Sequence, residues 1–184
     1  MTQFNIFYNN IDIMRFFYEL RYLPFIYHLF SASFERKVLD IRQMPAQVLF
    51  PHWDDEFEFI YVLSGMMEFR VRQKAFLVSS GEGFFLNTGE IHSACAYQSY
   101  DCRFVIYRIC PSVLFQTEDN PLYQKYIKPL VDHPSFGFLT FVPKVPWQKY
   151  ILEMIRKMND ICDRPVDGYE LKINHFVNEI FYYI

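Results

Sequence analysis

Three polar side chains that could carry binding chemistry lie close together in this chain of 184 residues: His52, Asp54 and Glu58. In an extended strand, residues an even number apart point to the same side, so these three would share one face. Ile60 and Val62 continue that face as an apolar floor. A histidine and two carboxylates above an apolar floor predict one wall of a polar-rimmed pocket.

A second histidine, His92, follows a glycine-punctuated stretch of the chain. The two segments together resemble the paired motifs of the cupin superfamily, His-x-His-x3-Glu-x6-Gly followed by Gly-x5-Pro-x-Gly-x2-His. Asp54 stands where the motif has its second histidine, and Asn87 stands where it has its proline. The residues that fall on the pattern are His52, Glu58, Gly65, Gly81, Gly89 and His92.

These side chains allow three interpretations. His52, Glu58 and His92 could bind a metal, because two imidazoles and a carboxylate form a facial triad suited to Fe(II), Mn or Zn. They could instead satisfy one another by hydrogen bonds, without a structural or catalytic metal. The interpretation we favour is a pocket wall that binds an effector through His52, Asp54, Glu58 and His92, with no metal and no other cofactor, because one motif histidine is missing.

Arginines on the predicted strands could anchor an anionic effector, because a guanidinium pairs with a carboxylate through two parallel hydrogen bonds. The candidates are Arg70, Arg72, Arg103 and Arg108. Arginines on strands are more often solvated or ion-paired, so most of these are expected to be ordinary surface residues.

A series of short strands must position these residues. Short strands at regular spacing, without helical periods between them, predict an antiparallel barrel or sandwich. With the motifs, the prediction is a mainly β, cupin-like antiparallel β-barrel (a double-stranded β-helix), with a turn at Ser64-Gly65. The predicted strands are Val38–Arg42, Gln47–Pro51, Phe57–Leu63, Met67–Val71, Ala75–Val78, Gly83–Asn87, Ile91–Gln98 and Cys102–Cys110.

The pattern changes after the barrel. A short helix is predicted over Leu122–Val131, distorted near its end by Pro129, and a proline-containing loop follows. Apolar residues then recur at three and four positions on both sides of a break at 163–168, which predicts a C-terminal α-helical hairpin. The predicted regions are an N-terminal arm (1–35), the barrel (36–112), a connecting segment (113–146) and the hairpin (147–184).

The first helix of the hairpin carries a large apolar stripe. One small barrel is not expected to cover both helices, so part of the stripe is predicted to form the seam of a homodimer. The predicted interface residues are Tyr150, Ile151, Met154, Ile155 and Met158.

A cupin barrel followed by a helical hairpin resembles the effector-binding and dimerisation domain of AraC-family transcription regulators. Three segments carry the resemblance: Phe50–Glu58, Asn87–Ser93 and Gly168–Lys172. The resemblance implies a small effector, often a sugar or metabolite, and a helix-turn-helix domain that reads DNA. That reader is absent from this sequence, and the uncapped end at Phe181–Ile184 suggests that the natural protein continues.

Composition narrows the classes of function further. The net charge of −3 provides no basic surplus for binding DNA by bulk charge. The four cysteines lack metal-site spacing and are expected to be free thiols in a reducing compartment. With no signal peptide or membrane-spanning run, the expected location is the cytoplasm, without membrane contact. The resemblance implies a non-enzymatic sensor, and this is the leading hypothesis because an enzyme would not need the terminal hairpin. Its rivals are a metal-dependent cupin dioxygenase or isomerase and a stand-alone binding protein.

Overall fold

A computed structural model describes residues 26–27, 34–98, 101–114, 119–133 and 135–184. Most of the predicted N-terminal arm lies outside these residues, including Ile11, Met14, Phe17 and Tyr18, whose three-to-four spacing weakly predicts a helix. The strands are β1 (Ile26–Tyr27), β2 (Phe34–Asp40), β3 (Val48–His52), β4 (Phe57–Val71), β5 (Lys74–Ser79), β6 (Gly83–Leu86), β7 (His92–Ala96), β8 (Cys102–Ile109) and β9 (Phe138–Phe141). The α-helices are α1 (Lys128–Val131), α2 (Pro146–Asp163) and α3 (Tyr169–Tyr183).

The strands form two antiparallel sheets that share β4. Sheet 1 has the order β1-β2-β8-β4-β6-β9, and sheet 2 has the order β5-β4-β7-β3. The first part of β4 pairs with β6 and β8, and its second part pairs with β5 and β7. In the described part of the chain these ladders do not close into a ring. The fold class predicted from the sequence is confirmed, as a cupin-like pair of sheets with an open edge.

The shared strand bends at Gly65, where the sequence pattern predicts a turn between two strands. That prediction was wrong: the ladder with β8 shifts register between Val62 and Ser64, and β4 continues without interruption. Gly65 has a φ of +80°, and a Cβ there would lie 1.5 Å from the carbonyl oxygen of Asp101. A bulge with glycine in this conformation kinks a strand and lets it pass from one sheet to the other.

The space between the two sheets forms the inner core. Side chains of alternate residues in β4, such as Ile60 and Val62, point into it and are fully buried. Phe69 of sheet 2 stacks on Phe84 of sheet 1, with ring centroids 4.5 Å apart. The predicted apolar floor beneath the polar residues is therefore this core.

The other face of sheet 1 packs against the helical hairpin and forms the outer core. Phe57 and Phe59 of β4 and Phe85 of β6 surround Phe181 of α3, at centroid distances of 5.1, 5.7 and 6.0 Å. The hairpin itself is confirmed as predicted. No helix in the described ranges is both long and apolar enough to cross a bilayer.

The connecting segment holds two departures from the sequence prediction. The predicted loop contains strand β9, which pairs with β6 at the edge of sheet 1; the run is only four residues long, so its strand signal is weak. The predicted short helix begins as a π-helical turn, Tyr123–Ile127, and continues as α1. Pro129 has no N–H for the carbonyl of Lys125, and its ring would crowd that group, so a wider turn replaces the regular helix.

Candidate functional site

The polar residues predicted from the sequence meet at one end of the inner core. His52 at the end of β3 and His92 at the start of β7 are direct partners across sheet 2, with ring centroids 4.2 Å apart. Glu58 points toward them from β4 of sheet 1, and its Oε2 lies 3.0 Å from His92 Nε2. Asp54, in the turn after β3, places Oδ2 at 3.8 Å from His52 Nε2. The structure thus brings all four side chains together.

Arg108 completes this group from β8, where it lies opposite Glu58 in the strand ladder. Its Nε donates to Glu58 Oε1 at 3.0 Å, and its terminal nitrogens lie 3.3 Å from Asp54 Oδ2 and 3.1 Å from Glu35 Oε2. Arg108 therefore contacts three carboxylates. We call His52, Asp54, Glu58, His92, Arg108 and Glu35 the inner cluster.

The other candidate arginines lie outside the inner cluster. Arg70 pairs with Glu68 at 2.5 Å, and Arg72 pairs with Glu90 in a two-pronged contact at the surface. Arg103 is exposed. Glu35 was missed by the sequence analysis, because nothing in its spacing distinguishes it from the other residues of a half-buried strand.

Hydrogen bonds to the backbone fix the orientation of both imidazoles. His52 Nδ1 lies 2.7 Å from the carbonyl oxygen of Phe50, and His92 Nδ1 lies 2.9 Å from that of Glu90. A carbonyl oxygen can only accept, so each Nδ1 carries the proton and each Nε2 is directed into the cluster.

The two histidines carry different charges. Burial and the nearby His92 lower the pKa of His52 to about 4, so its ring is neutral at pH 7. Burial alone would lower the pKa of His92 as well, but the charge and close contact of Glu58 raise it above its usual value. His92 therefore favours the imidazolium form, which can donate toward Glu58 from Nε2.

The two central carboxylates also differ. Burial would raise the pKa of Glu58, but His92 and Arg108 outweigh it and hold the pKa well below its usual range. Burial and the charge of Glu58 raise the pKa of Asp54 to about 7. Near neutral pH Glu58 thus stays ionised beside Asp54, which gains and loses a proton.

Several buried polar atoms in the cluster lack a well-aligned hydrogen bond within the chain. They include Asp54 Oδ2, Glu58 Oε2 and His92 Nε2, although the last two lie only 3.0 Å apart. Buried polar atoms normally have hydrogen-bond partners, and a concave site with such atoms can supply them to a ligand. The ring of Phe69 stacks on His92 at 5.6 Å and forms the boundary between the cluster and the apolar inner core.

The cluster also contains a possible metal-binding set. One ligand atom each from His52, Glu58 and His92 lie within 4.8 Å of one another, and two imidazoles with a carboxylate match the preferences of several divalent metals. The guanidinium of Arg108 bonds to the same carboxylate, however, and its permanent positive charge opposes a second cation at that point.

Comparison with known proteins identifies the fold. Residues 39–167 match the family model described as the AraC-like ligand binding domain. The chain belongs to the AraC-like ligand-binding domain family. The AraC-like domain is 28% identical over 122 residues to the uncharacterized HTH-type transcriptional regulator YdeC of Bacillus subtilis (strain 168), a match covering 66% of this chain. It spans 41% of the length of that relative.

Crystal structures of ToxT from Vibrio cholerae share the fold. One superposes with a TM-score of 0.55 at 12% sequence identity, over 82% of this chain and 55% of ToxT. Wild-type ToxT bound to an unsaturated fatty acid gives a TM-score of 0.53 at 12% identity, over 85% and 54% of the two chains. At this identity the similarity shows a common fold.

The predicted dimer residues require a correction. Ile151, Met154, Ile155 and Met158 lie in the outer core of their own chain, with at most 1% of each side chain exposed. Sheet 1 covers this stripe, because the face of the sheet toward the hairpin is mostly apolar. Tyr150 is the member of the predicted set that remains exposed, at 38%.

Proposed function

We propose that this AraC-like domain senses a small molecule on behalf of a transcription regulator, in which a helix-turn-helix domain reads DNA. The observation that carries the proposal is the inner cluster, a buried group of charged side chains at one end of an otherwise apolar core. The family match and the description of YdeC as an HTH-type transcriptional regulator support the regulatory part. The domain itself is then a binding module, and catalysis has no part in the proposal.

The charges of the cluster favour a neutral, hydroxylated effector such as a sugar. Three carboxyl groups already surround Arg108, so an acidic ligand would meet repulsion from Glu35 and Glu58, and from Asp54 when it is ionised. Hydroxyl groups can both donate to the carboxylate oxygens and accept from the imidazolium of His92. Carboxylic acids are the competing class, because ToxT has been crystallised with a fatty acid and with (E)-4-(8-methylnaphthalen-1-yl)but-3-enoic acid.

A metal-dependent cupin enzyme is the second candidate, and the triad of His52, Glu58 and His92 favours it. The contact between Arg108 and Glu58 argues against it. If the sensor proposal is correct, protein purified without added metal contains well under one equivalent of Fe, Mn, Ni or Zn by elemental analysis. Near-stoichiometric metal that is lost in His92→Ala would support the enzyme instead.

We also propose that the regulator acts as a homodimer in the cytoplasm. Exposed aromatic side chains cluster where α2 begins and α3 ends. The rings of Tyr150 and Tyr183 lie 5.1 Å apart, and those of Tyr182 and Tyr183 lie 5.3 Å apart. Tyrosines of this kind are enriched in protein interfaces, so this tyrosine cluster replaces the buried stripe as the proposed contact surface.

A thermal-shift screen tests the effector proposal. Neutral sugars, sugar acids and fatty acids are added separately to the purified chain, and a hit raises the unfolding temperature. A ligand at a hundred times its dissociation constant stabilises the folded state by about 2.7 kcal/mol. We expect hits among the neutral sugars, and we expect Asp54→Asn to reduce the shift by removing one charged acceptor from the cluster.

Glu68→Gln is the matched control, because it neutralises a carboxylate of sheet 2 that lies outside the inner cluster and pairs with Arg70 at the surface. It should leave the ligand shift unchanged. Hits confined to fatty acids would overturn the sugar assignment, and a hit that responds equally to both variants would place the ligand outside the inner cluster.

A further inference from the structure

Glu35 and Arg36 are neighbours in β2, and their side chains extend to opposite faces of sheet 1. Glu35 points inward and bonds to Arg108 of the inner cluster, at 3.1 Å. Arg36 points outward and reaches helix α2. Adjacent residues of a strand alternate between faces, and their backbone atoms move together. A displacement at Glu35 is therefore transmitted to Arg36.

The outward contact is a polar link through a mostly apolar interface. Arg36 is 3% exposed, and its Nη2 donates to Asn159 Oδ1 at 2.5 Å and to Asp163 Oδ1 at 2.6 Å. Asn159 Nδ2 in turn donates to Asp163 Oδ2 at 3.2 Å. Asp163 is the last residue of α2, so the link ends where the chain turns toward α3. We call Arg36, Asn159 and Asp163 the outer link.

Strand β8 repeats the same arrangement. Its Arg108 lies opposite Glu35 on the inner face, and its Tyr107 lies opposite Arg36 on the outer face. The hydroxyl of Tyr107 is buried beside the outer link, and burial raises the pKa of Tyr107, which keeps its proton. Arg36 also interacts with the Tyr107 hydroxyl, and neither Tyr107 Oη nor Arg36 Nε has a well-aligned hydrogen bond, so the outer link has the donors and acceptors for a second arrangement.

We propose that Arg36 is a positioning residue that couples the inner cluster to the C-terminal end of α2. An effector that bonds to Asp54 or Glu58 weakens their hold on Arg108, which then moves relative to Glu35. The paired positions on β2 and β8 shift together, and Arg36 transmits the shift to Asn159 and Asp163. By reciprocity, whatever holds the end of α2 also alters the affinity of the cluster for its effector.

This coupling deepens the proposed function and rests on it, because the effector supplies the signal. A second route from the cluster exists, since Phe57 and Phe59 flank Glu58 and contact Phe181 of α3. Those contacts are apolar and non-directional, whereas the outer link depends on hydrogen bonds whose donors and acceptors must stay aligned. The two routes also end at different places on the hairpin, so an experiment can separate them.

The test is a double-mutant cycle that uses no effector, and therefore stays informative if screening finds none. Asp54→Asn alters the charge around Arg108 from a turn that is outside α2 and distant from Arg36 in sequence. Hydrogen–deuterium exchange is measured on the amides of residues 159–171, which cover the end of α2, the turn and the start of α3. We expect Asp54→Asn to change their exchange rate by about threefold or more, within the range of measured long-range couplings.

The second mutation decides whether the outer link carries the effect. Asp163→Asn should reduce the response to Asp54→Asn to less than about twofold. Asp160→Asn is the matched control: this aspartate is on the same helix but pairs with Arg156 at the surface, at 3.1 Å, and the full response should remain. Urea unfolding of every variant confirms that each is folded under the exchange conditions.

Two results would overturn the proposal. In one, the response to Asp54→Asn is the same in the Asp163→Asn and Asp160→Asn backgrounds, so that the signal travels elsewhere. In the other, neither Asp54→Asn nor Glu35→Gln changes exchange at the end of α2. Either result leaves a sugar hit in the thermal-shift screen unaffected, and failure of that screen leaves the cycle interpretable.

Discussion

The two faces of sheet 1 differ in what they bury. The outer face presents aromatic side chains to the hairpin, with the outer link as a polar exception. The inner face is equally apolar along most of its length, but it ends in the charged inner cluster. Buried ion pairs stabilise a fold less than well-packed apolar side chains do. The difference fits our proposal that the outer face holds the domain together and that the inner cluster binds the effector.

Removing the central carboxylate of the inner cluster should have the largest effect and tests whether the cluster differs from the rest of the sheet. Glu58→Ala leaves Arg108 and His92 buried with one partner fewer, and losing one member of a buried charge group costs about 3–5 kcal/mol. Urea denaturation should show that loss as a lower midpoint. Glu68→Ala, which breaks a surface pair on the same strand, should cost less than about 1 kcal/mol. Equal losses of stability in the two variants would mean that Glu58 contributes no more than a carboxylate of a surface ion pair.

The packing on the outer face is tested at Ile155, a residue of α2 that is fully buried in the outer core. Ile155→Ala should lower the free energy of unfolding by about 3 kcal/mol, because it removes apolar contacts and leaves a cavity. It should not change the mass of the folded protein by light scattering. Tyr183→Asp, in the tyrosine cluster, should do the reverse and lower the mass of a dimer at little cost in stability. If Ile155→Ala dissociates a dimer instead, the stripe is an interface after all.

The pH dependence of stability provides a smaller effect that only the inner cluster should show. Asp54 titrates near pH 7 in the fold and near 3.8 when exposed, so the folded state holds this proton more tightly, and the resulting stability is lost as pH rises through about 7. His92, with its raised pKa, has the same sign. His52, with a pKa lowered to about 4, has the opposite sign, but its contribution is complete above its ordinary value of 6.5.

The domain should therefore lose stability between pH 6.5 and 8. Asp54→Asn should remove about 1 kcal/mol of that loss, the equivalent of roughly one pKa unit. Urea midpoints measured every half unit of pH give both curves. Asp160→Asn serves as the control, because its carboxylate is exposed and should leave the slope unchanged. A variant curve parallel to the wild-type curve would show that Asp54 does not titrate in this range.

Much of the architecture was predictable from local patterns. The alternation around Glu58 and the spacing of His92 place four polar residues on inward-facing positions, and the three-to-four spacing of α2 identifies its apolar face. The partner of that face was not predictable. An apolar stripe looks the same whether it meets its own sheet or a second subunit, and only the tertiary packing decides between them.

The polar contacts between distant parts of the chain could not be predicted from the sequence either. Arg108 lies 50 residues from Glu58 in the sequence. Nothing in the local pattern distinguishes it from Arg70, which pairs with Glu68 at the surface. Arg36 and Asp163 are 127 residues apart. Register depends on the whole ladder, and a shift of one residue would turn each side chain to the other face.

The kink at Gly65 limits which residues a member of this family can carry at that position. Gly65, Gly81 and Gly89 all adopt positive φ, but a side chain at Gly65 would collide with the backbone at Asp101, whereas one at either other position would meet nothing within 4 Å. Asparagine, which tolerates this backbone conformation, could therefore replace the glycine at 81 or 89. Among relatives that keep the continuous β4, position 65 should admit glycine alone, and a substitution there would mark a member whose two sheets are joined differently.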